Sequence, residues 1–340
     1  MRKAFALAAF TLLGGSSVGN AGTIPVTVTP QTDDVWVYTF GQGSFASIAA
    51  TFAGIFEDDD PDRLGYYFLT FDVSGSFDAG GRPARVRSLE LRTTMLNSSS
   101  FNQNNGVIYD PTYDSVETYL NPALDTDPGR PIELYGVGFR NGFNLQSWRN
   151  ANFPVSGPEG YSAVPIDFPG DDPAGRDVQN SVSLGFDTLP LAIGTTQDLI
   201  SPGDGTQRVL DLARWVFTVS DISDGLDSYF RNSLDQGEIS LIVSSLQLAG
   251  FDGMGGDEIY PRFATLNTFF PVDDAELLLD IQISPPEDVN GDFVVDIEDL
   301  YAWEQGEGMR DINGDGVVNA ADRFLLIAAL RAAETADIRE

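Results

Sequence analysis

The pattern of apolar and polar positions changes character once along the chain, near residue 285. Before that point, runs of strand length recur at 35–40, 66–73, 86–96, 132–139, 212–219, 238–248 and 276–283. They are rich in β-branched and aromatic residues, which suit a pleated, half-buried surface. In Leu89-Glu90-Leu91-Arg92 apolar and charged residues alternate, as on a sheet with one wet face. Turn signals separate the runs: Asn105-Gly106, Asn141-Gly142, Asp204-Gly205 and Asp224-Gly225. Only 221–234 has a helical period, and no βαβ rhythm appears. The pattern therefore predicts a mainly β fold: one large β-sandwich or jelly-roll module over 22–285, with long inserted loops at 97–110 and 142–177. Ser284-Pro285-Pro286 forms a stiff joint to a small helical module over 286–340.

The first residues are of a different kind. Met1-Arg2-Lys3 is cationic, 4–13 is apolar, and Ser16 to Ala21 supplies small residues for cleavage. That is the layout of a secretory signal peptide over 1–21, and it predicts a secreted, extracellular or cell-surface protein. The apolar run is too short to span a bilayer, which needs about 20 residues. No membrane span is expected in the mature chain.

The C-terminal segment contains an internal repeat. Asp288-Val289-Asn290-Gly291-Asp292-Phe293-Val294-Val295-Asp296-Ile297-Glu298-Asp299 recurs 23 positions on as Asp311-Ile312-Asn313-Gly314-Asp315-Gly316-Val317-Val318-Asn319-Ala320-Ala321-Asp322. Both copies satisfy the oxygen-ligand register of a calcium loop at positions 1, 3, 5, 7, 9 and 12, with position 7 giving its carbonyl. Asp, Asn and Gly are also ordinary turn residues. Two copies at a fixed spacing, each followed by a helix-like stretch, separate a metal loop from a turn. Val295 and Val318, at position 8, are expected to pair the two loops through a short β-contact.

These residues resemble a type I dockerin, in which two EF-hand half-motifs stand in tandem at the C-terminus of a secreted bacterial protein. Asp at position 12 in place of Glu is the habit of that family. The resemblance implies one Ca²⁺ per loop. The implied ligands are Asp288, Asn290, Asp292, Val294, Asp296 and Asp299, then Asp311, Asn313, Asp315, Val317, Asn319 and Asp322. It also implies docking onto a cohesin-like or cell-surface protein. Two departures stand out. Loop position 6 turns with φ > 0 and suits Gly316, whereas Phe293 in that conformation costs about 1–2 kcal/mol. Positions 10 and 11, which carry partner recognition in many dockerins, are Ile297-Glu298 in one copy and Ala320-Ala321 in the other. In the large module, Tyr67 to Val73 followed by Val86 to Leu91 is similar to the opening of carbohydrate-binding jelly rolls, which implies a jelly-roll fold and makes a polysaccharide one candidate partner.

Composition narrows the chemistry. Asp and Glu outnumber Lys and Arg by 51 to 19, for a formal charge of −32. Such a field repels phosphate backbones and excludes a nucleic-acid partner. With no Cys and no His there is no thiolate, no imidazole base, no disulfide and no conventional zinc or haem site. Lys3, in the leader, is the only Lys. What remains is carboxylates, hydroxyls, arginine and hard cations.

Three constellations have two readings each. Trp36, Tyr38 and Phe40 form either a sugar-stacking platform or a core stripe; Trp148, in a polar loop, is the better ligand candidate than Trp215. The acidic runs 57–62 and Asp171, Asp172 with Asp177 are either solvated loops or a further calcium site. Glu90, Glu133 and Glu238 are carboxylates that a glycosidase pair would draw on, though nothing in the pattern singles them out. The expectation is a non-catalytic binding or structural protein. A dockerin-bearing hydrolase and a calcium-stiffened surface-matrix protein are the alternatives.

Overall fold

The structure, a computed structural model, describes residues 23–29, 33–38, 41–44, 47–53, 63–96, 106–154, 162–247, 260–268 and 272–337. The expected leader at 1–21, Phe40, Asn105, the acidic run 57–62 and most of the 97–110 segment lie outside these residues. One third of the chain is strand and about a fifth is helix, with antiparallel pairing, so the fold is mainly β. It divides into two compact units, one of residues 23–78 with 84–282, the other of residues 79–83 with 283–337 among those described.

The larger unit is built on two antiparallel sheets. The first orders β1 (Thr23–Val28), β17 (Glu276–Ile283), β7 (Ala84–Met95), β16 (Arg262–Ala264) and β4 (Ile48–Ala50), and β14 (Ala213–Val219) also pairs with β7. The second orders β10 (Arg176–Asp177), β9 (Ala163–Asp167), β8 (Ile132–Phe139), β15 (Glu238–Ser245), β6 (Arg63–Asp72), β2 (Asp34–Tyr38) and β3 (Gly41–Ser44). There β11 (Ala192–Ile193) pairs with β8 and β5 (Phe52–Ala53) with β6, while β12 (Leu199–Ile200) and β13 (Arg208–Val209) form a separate ribbon. Every one of the seven expected strands coincides with an observed strand. β14 begins at Ala213 because Leu212 has φ 61, a left-handed conformation no strand residue adopts.

The sheets meet across β6. Tyr67 stacks on Phe263 of the other sheet with centroids 5.6 Å apart, and its hydroxyl donates to the Ala264 carbonyl at 3.0 Å. Alternation turns Phe68 to the opposite face, where it meets Trp148 at 4.7 Å. Tyr66, Tyr67, Phe68, Leu69 and Phe71 are all fully buried, so β6 is covered on both faces. This explains why its sequence reads as a continuous apolar run.

The cover comes from a segment expected to be a loop. Residues 142–177 carry α2 (Leu145–Asn150), β9 and β10, with 155–161 outside the described residues. Asn144 and Ser147 cap α2 reciprocally. Trp148 on this helix is 1% exposed, packed among Phe68, Phe139 and Phe153. It is a core residue, not a ligand platform; the polar residues around it belong to the outer surface of its own short helix. Trp215 is equally buried. Two further short helices, α1 (Val116–Leu120) and α3 (Ser181–Leu184), lie in the connections. The expected helix at 221–234 is α4 (Asp224–Gln236), capped by Ser223 and ended by Gly237 at φ 76. It packs on β7 and β15.

The smaller unit is helical. α5 (Ile297–Gln305) and α6 (Ala320–Asp337) follow the two repeats and pack on each other. Val289, Ile312 and Leu326 are its buried centre, with Leu300, Ala302, Trp303 and Leu330 around them. Gly308 is obligatory here: a Cβ would lie 1.9 Å from the Val289 carbonyl oxygen, and φ is 65. No helix among the described residues is long and apolar enough to cross a membrane.

Candidate metal centre

Each repeat folds into the same loop, held by its own carboxylates. At position 1, Asp288 Oδ2 accepts from the Phe293 amide and Asp311 Oδ2 from the Gly316 amide, both at 2.7 Å. At position 5, Asp292 and Asp315 donate amides to the position-1 carboxylate at 3.1 Å in each copy. Position 3 accepts from the same position-5 amides, at Asn290 Oδ1 and Asn313 Oδ1 (3.0 and 2.9 Å). At position 12, Asp299 Oδ1 takes the amides of Val289 and Asn290, and Asp322 Oδ1 those of Ile312 and Asn313. The other oxygens of these two residues accept from Asp296 and Asn319, each at 2.8 Å. These bonds match partner for partner at an offset of 23 residues, while the first copy adds the Gly291 amide and the Ser284 hydroxyl to Asp288. That correspondence is a structural repeat, not a resemblance of composition.

Local geometry follows from the same positions. Gly291 and Gly314, at position 4, have φ 80 and 70. Position 6 is left-handed in both copies, Phe293 at φ 71 and Gly316 at φ 82, so Phe293 holds the strained conformation expected of it. Its ring is 8% exposed, and that burial offsets the strain. Positions 9 and 12 also start the helix. Asp296 and Asp299 form a reciprocal capping box for α5, which places acids at the positive end of its dipole.

The expected contact between Val295 and Val318 does not form. The isolated bridges among the described residues lie elsewhere, and Val318 is 45% exposed. The repeats are instead joined at position 2, where Val289 and Ile312 are buried against Leu326. The side chains at position 2 point into the unit and those at position 8 do not.

All twelve implied ligands thus stand in two matched loops, and every donor among them is a hard oxygen, a set suited to magnesium, calcium or manganese. In the geometry described, the carboxylates turn to amides more than to one another. Among the described residues, the group of three acids whose oxygens lie within 4.8 Å of one another is Asp114, Asp125 and Asp127, none of which the sequence pattern singles out. In the second loop the Asn319 amide donates to the Val317 carbonyl at 2.9 Å, so one implied ligand is engaged by another. Burial raises the Asp299 carboxyl above its ordinary range, whereas the amides of Asn319, Asn313 and Ile312 hold that of Asp322 below it.

Part of the surface of this unit is apolar as well. Tyr301 and Phe324 occupy the same place in the two repeats, 23 residues apart, and are 60% and 71% exposed. Ile297, Val294 and Val317 are exposed as well. Two positions further on, Trp303 and Leu326 turn inward.

The remaining candidates in the larger unit resolve as follows. Trp36 stacks on Tyr38 with centroids 4.5 Å apart, half-buried, and Phe52 and Tyr260 pack against the pair. Glu90 is ion-paired to Arg92, Glu133 to Arg63 and Glu238 to Arg149. Asp177 pairs with Arg140, and Asp172 caps a turn at the Ala174 amide. Asp171, Asp172 and Asp177 do not converge. No protein-family model matches the chain, and no curated protein matches it significantly.

Proposed function

We propose that this is an exported, non-catalytic binding or structural protein, held to an extracellular or cell-surface assembly by a calcium-organised, dockerin-like C-terminal module. The observation that carries this reading is the pair of loops whose position-1, position-3 and position-12 side chains accept from equivalent amides 23 residues apart. Two ions, one per loop, supply the positive charge that the clustered carboxylates lack. On this reading Asp288, Asn290, Asp292, Asp296 and Asp299 hold the first through side chains and Val294 through its carbonyl. Asp311, Asn313, Asp315, Asn319 and Asp322, with the Val317 carbonyl, hold the second. A unit of this size has too small a core to fold on burial alone, so metal affinity becomes folding energy.

Docking falls to the exposed apolar surface. Aromatic residues at matched places, Tyr301 and Phe324, are the kind of anchor that carries interface energy. The partner is a cohesin-like or cell-surface protein. The two-sheet unit, a β-sandwich of jelly-roll type, is the cargo presented by this attachment, and a polysaccharide is its ligand class. The test immobilises mature protein and exposes it to envelope and secreted fractions of the source organism, with calcium and then with EDTA. A partner retained in calcium, released by EDTA and lost in Tyr301→Asp and Phe324→Asp supports the proposal. Retention indifferent to EDTA and to both substitutions contradicts it.

A further inference from the structure

The larger unit contains an acidic centre that the tandem loops do not explain. Asp114, Asp125 and Asp127 bring their oxygens within 4.8 Å of one another. Arg130 is the nearby cation. It donates to Asp114 Oδ2 at 2.7 Å and approaches Asp125 Oδ2 at 3.3 Å. It also donates to the Thr118 hydroxyl and carbonyl, which fixes its position.

A fourth carboxylate borders this group. Asp110 is 2% exposed, and its Oδ1 accepts from the Thr112 amide and hydroxyl at 2.9 and 2.7 Å. Its other oxygen, Oδ2, is buried with no hydrogen-bond partner. An unmatched buried carboxylate oxygen is costly unless a cation or a proton neutralises it. The Thr112 hydroxyl makes the same demand. It lies 2.7 Å from Asp110 Oδ1 and 2.8 Å from Asp127 Oδ2, yet has one proton to give. The single hydroxyl proton leaves one of the two contacts unmatched, a deficit that a cation or a carboxyl proton relieves. Four acids against one arginine leave the centre with a deficit of positive charge.

We infer that Asp110, Asp114, Asp125 and Asp127 form a divalent-cation site, with calcium as the ion. The donors are all carboxylate oxygens from two separate stretches of chain, an irregular and charge-rich set. Calcium accepts such a set, whereas magnesium demands near-ideal octahedral geometry. The ion ties the 110–114 stretch to the 125–127 turn, on either side of α1.

The experiment is a calcium count on the full mature chain by equilibrium dialysis, in a background of Asp288→Ala with Asp311→Ala. That background removes the tandem loops from the count whether or not they bind. One Ca²⁺ per chain is expected to remain. Asp127→Asn, at an exposed position that does not threaten folding, is expected to weaken it at least ten-fold. Asp125→Asn with Asp127→Asn is expected to abolish it, while Asp171→Asn with Asp172→Asn leaves it intact. Circular dichroism checks that each variant is folded. No ion bound at millimolar calcium in the background chain, or an affinity unmoved by Asp127→Asn, overturns the inference.

Discussion

Phe293 shows how a single residue balances two costs. Its left-handed backbone costs about 1–2 kcal/mol, and burying its ring contributes roughly 2–3 kcal/mol. Burial wins, so Phe293→Gly is expected to lower the melting temperature of the C-terminal unit despite relieving the strain. Gly316 has the same conformation and is exposed, so Gly316→Ala gains no burial and is expected to cost about 1 kcal/mol. Differential scanning calorimetry in calcium measures both. Asp34, on β2, is a second residue with a definite signature. It is 2% exposed, and burial pushes its carboxyl up to about 7 although the Leu266 amide donates to it at 2.8 Å. The unfolded chain releases this proton near pH 4, whereas the folded chain keeps it to about 7. Its stability contribution is therefore complete below pH 4 and is lost as pH rises to 7, by an amount on the order of 4 kcal/mol. Asp34→Asn removes that dependence. Urea midpoints at pH 4.5 and 7.5 should show the variant gaining on the native chain at the higher pH; a pH-independent difference contradicts the assignment.

Among the elements, β6 and β8 carry the most exacting chemistry. Arg63 and Glu133 are fully buried and ion-paired, with the Tyr135 hydroxyl at 3.0 Å from Glu133 Oε2 and Thr188 at 2.8 Å from Tyr135. Removing one partner strands a buried charge, so Glu133→Gln or Arg63→Met is expected to cost about 3–5 kcal/mol. Trp148→Ala opens a cavity under α2 and is expected to cost a similar amount. Denaturant midpoints of the larger unit read both. The elements also show what the sequence could disclose. Long runs such as β6, β7 and β15 announce themselves because both faces, or one whole face, are apolar. β9 does not, because Pro165 interrupts Ala163–Asp167. The proline is tolerated because its backbone groups face away from β8, toward the side of the two-residue β10, where its carbonyl accepts from Val178 and no ladder bond to β8 is lost. β1 has only two buried positions and stands directly after the expected leader. The tandem acidic loops were legible because they repeat. Asp110, Asp114, Asp125 and Asp127 were not, since folding alone brings their two stretches together and no spacing recurs.

Over the whole molecule, acids outnumber bases by 51 to 19, and the acids that matter are those gathered at fixed places. In the smaller unit, Asp288, Asp299 and Asp322 are buried, close to further carboxylates. Without a cation their mutual repulsion opposes a small core built on Val289, Ile312 and Leu326. The larger unit has two sheets and an aromatic interior of its own, so it is expected to stay folded when those loops lose their structure. The direct test of calcium organisation is far-UV circular dichroism with calorimetry on residues 22–340, in calcium and after chelation by EDTA. The account predicts two transitions in calcium, with EDTA abolishing the one from 283–337, removing helical signal and leaving a folded β unit. Unchanged helical signal and both transitions intact in EDTA would contradict it.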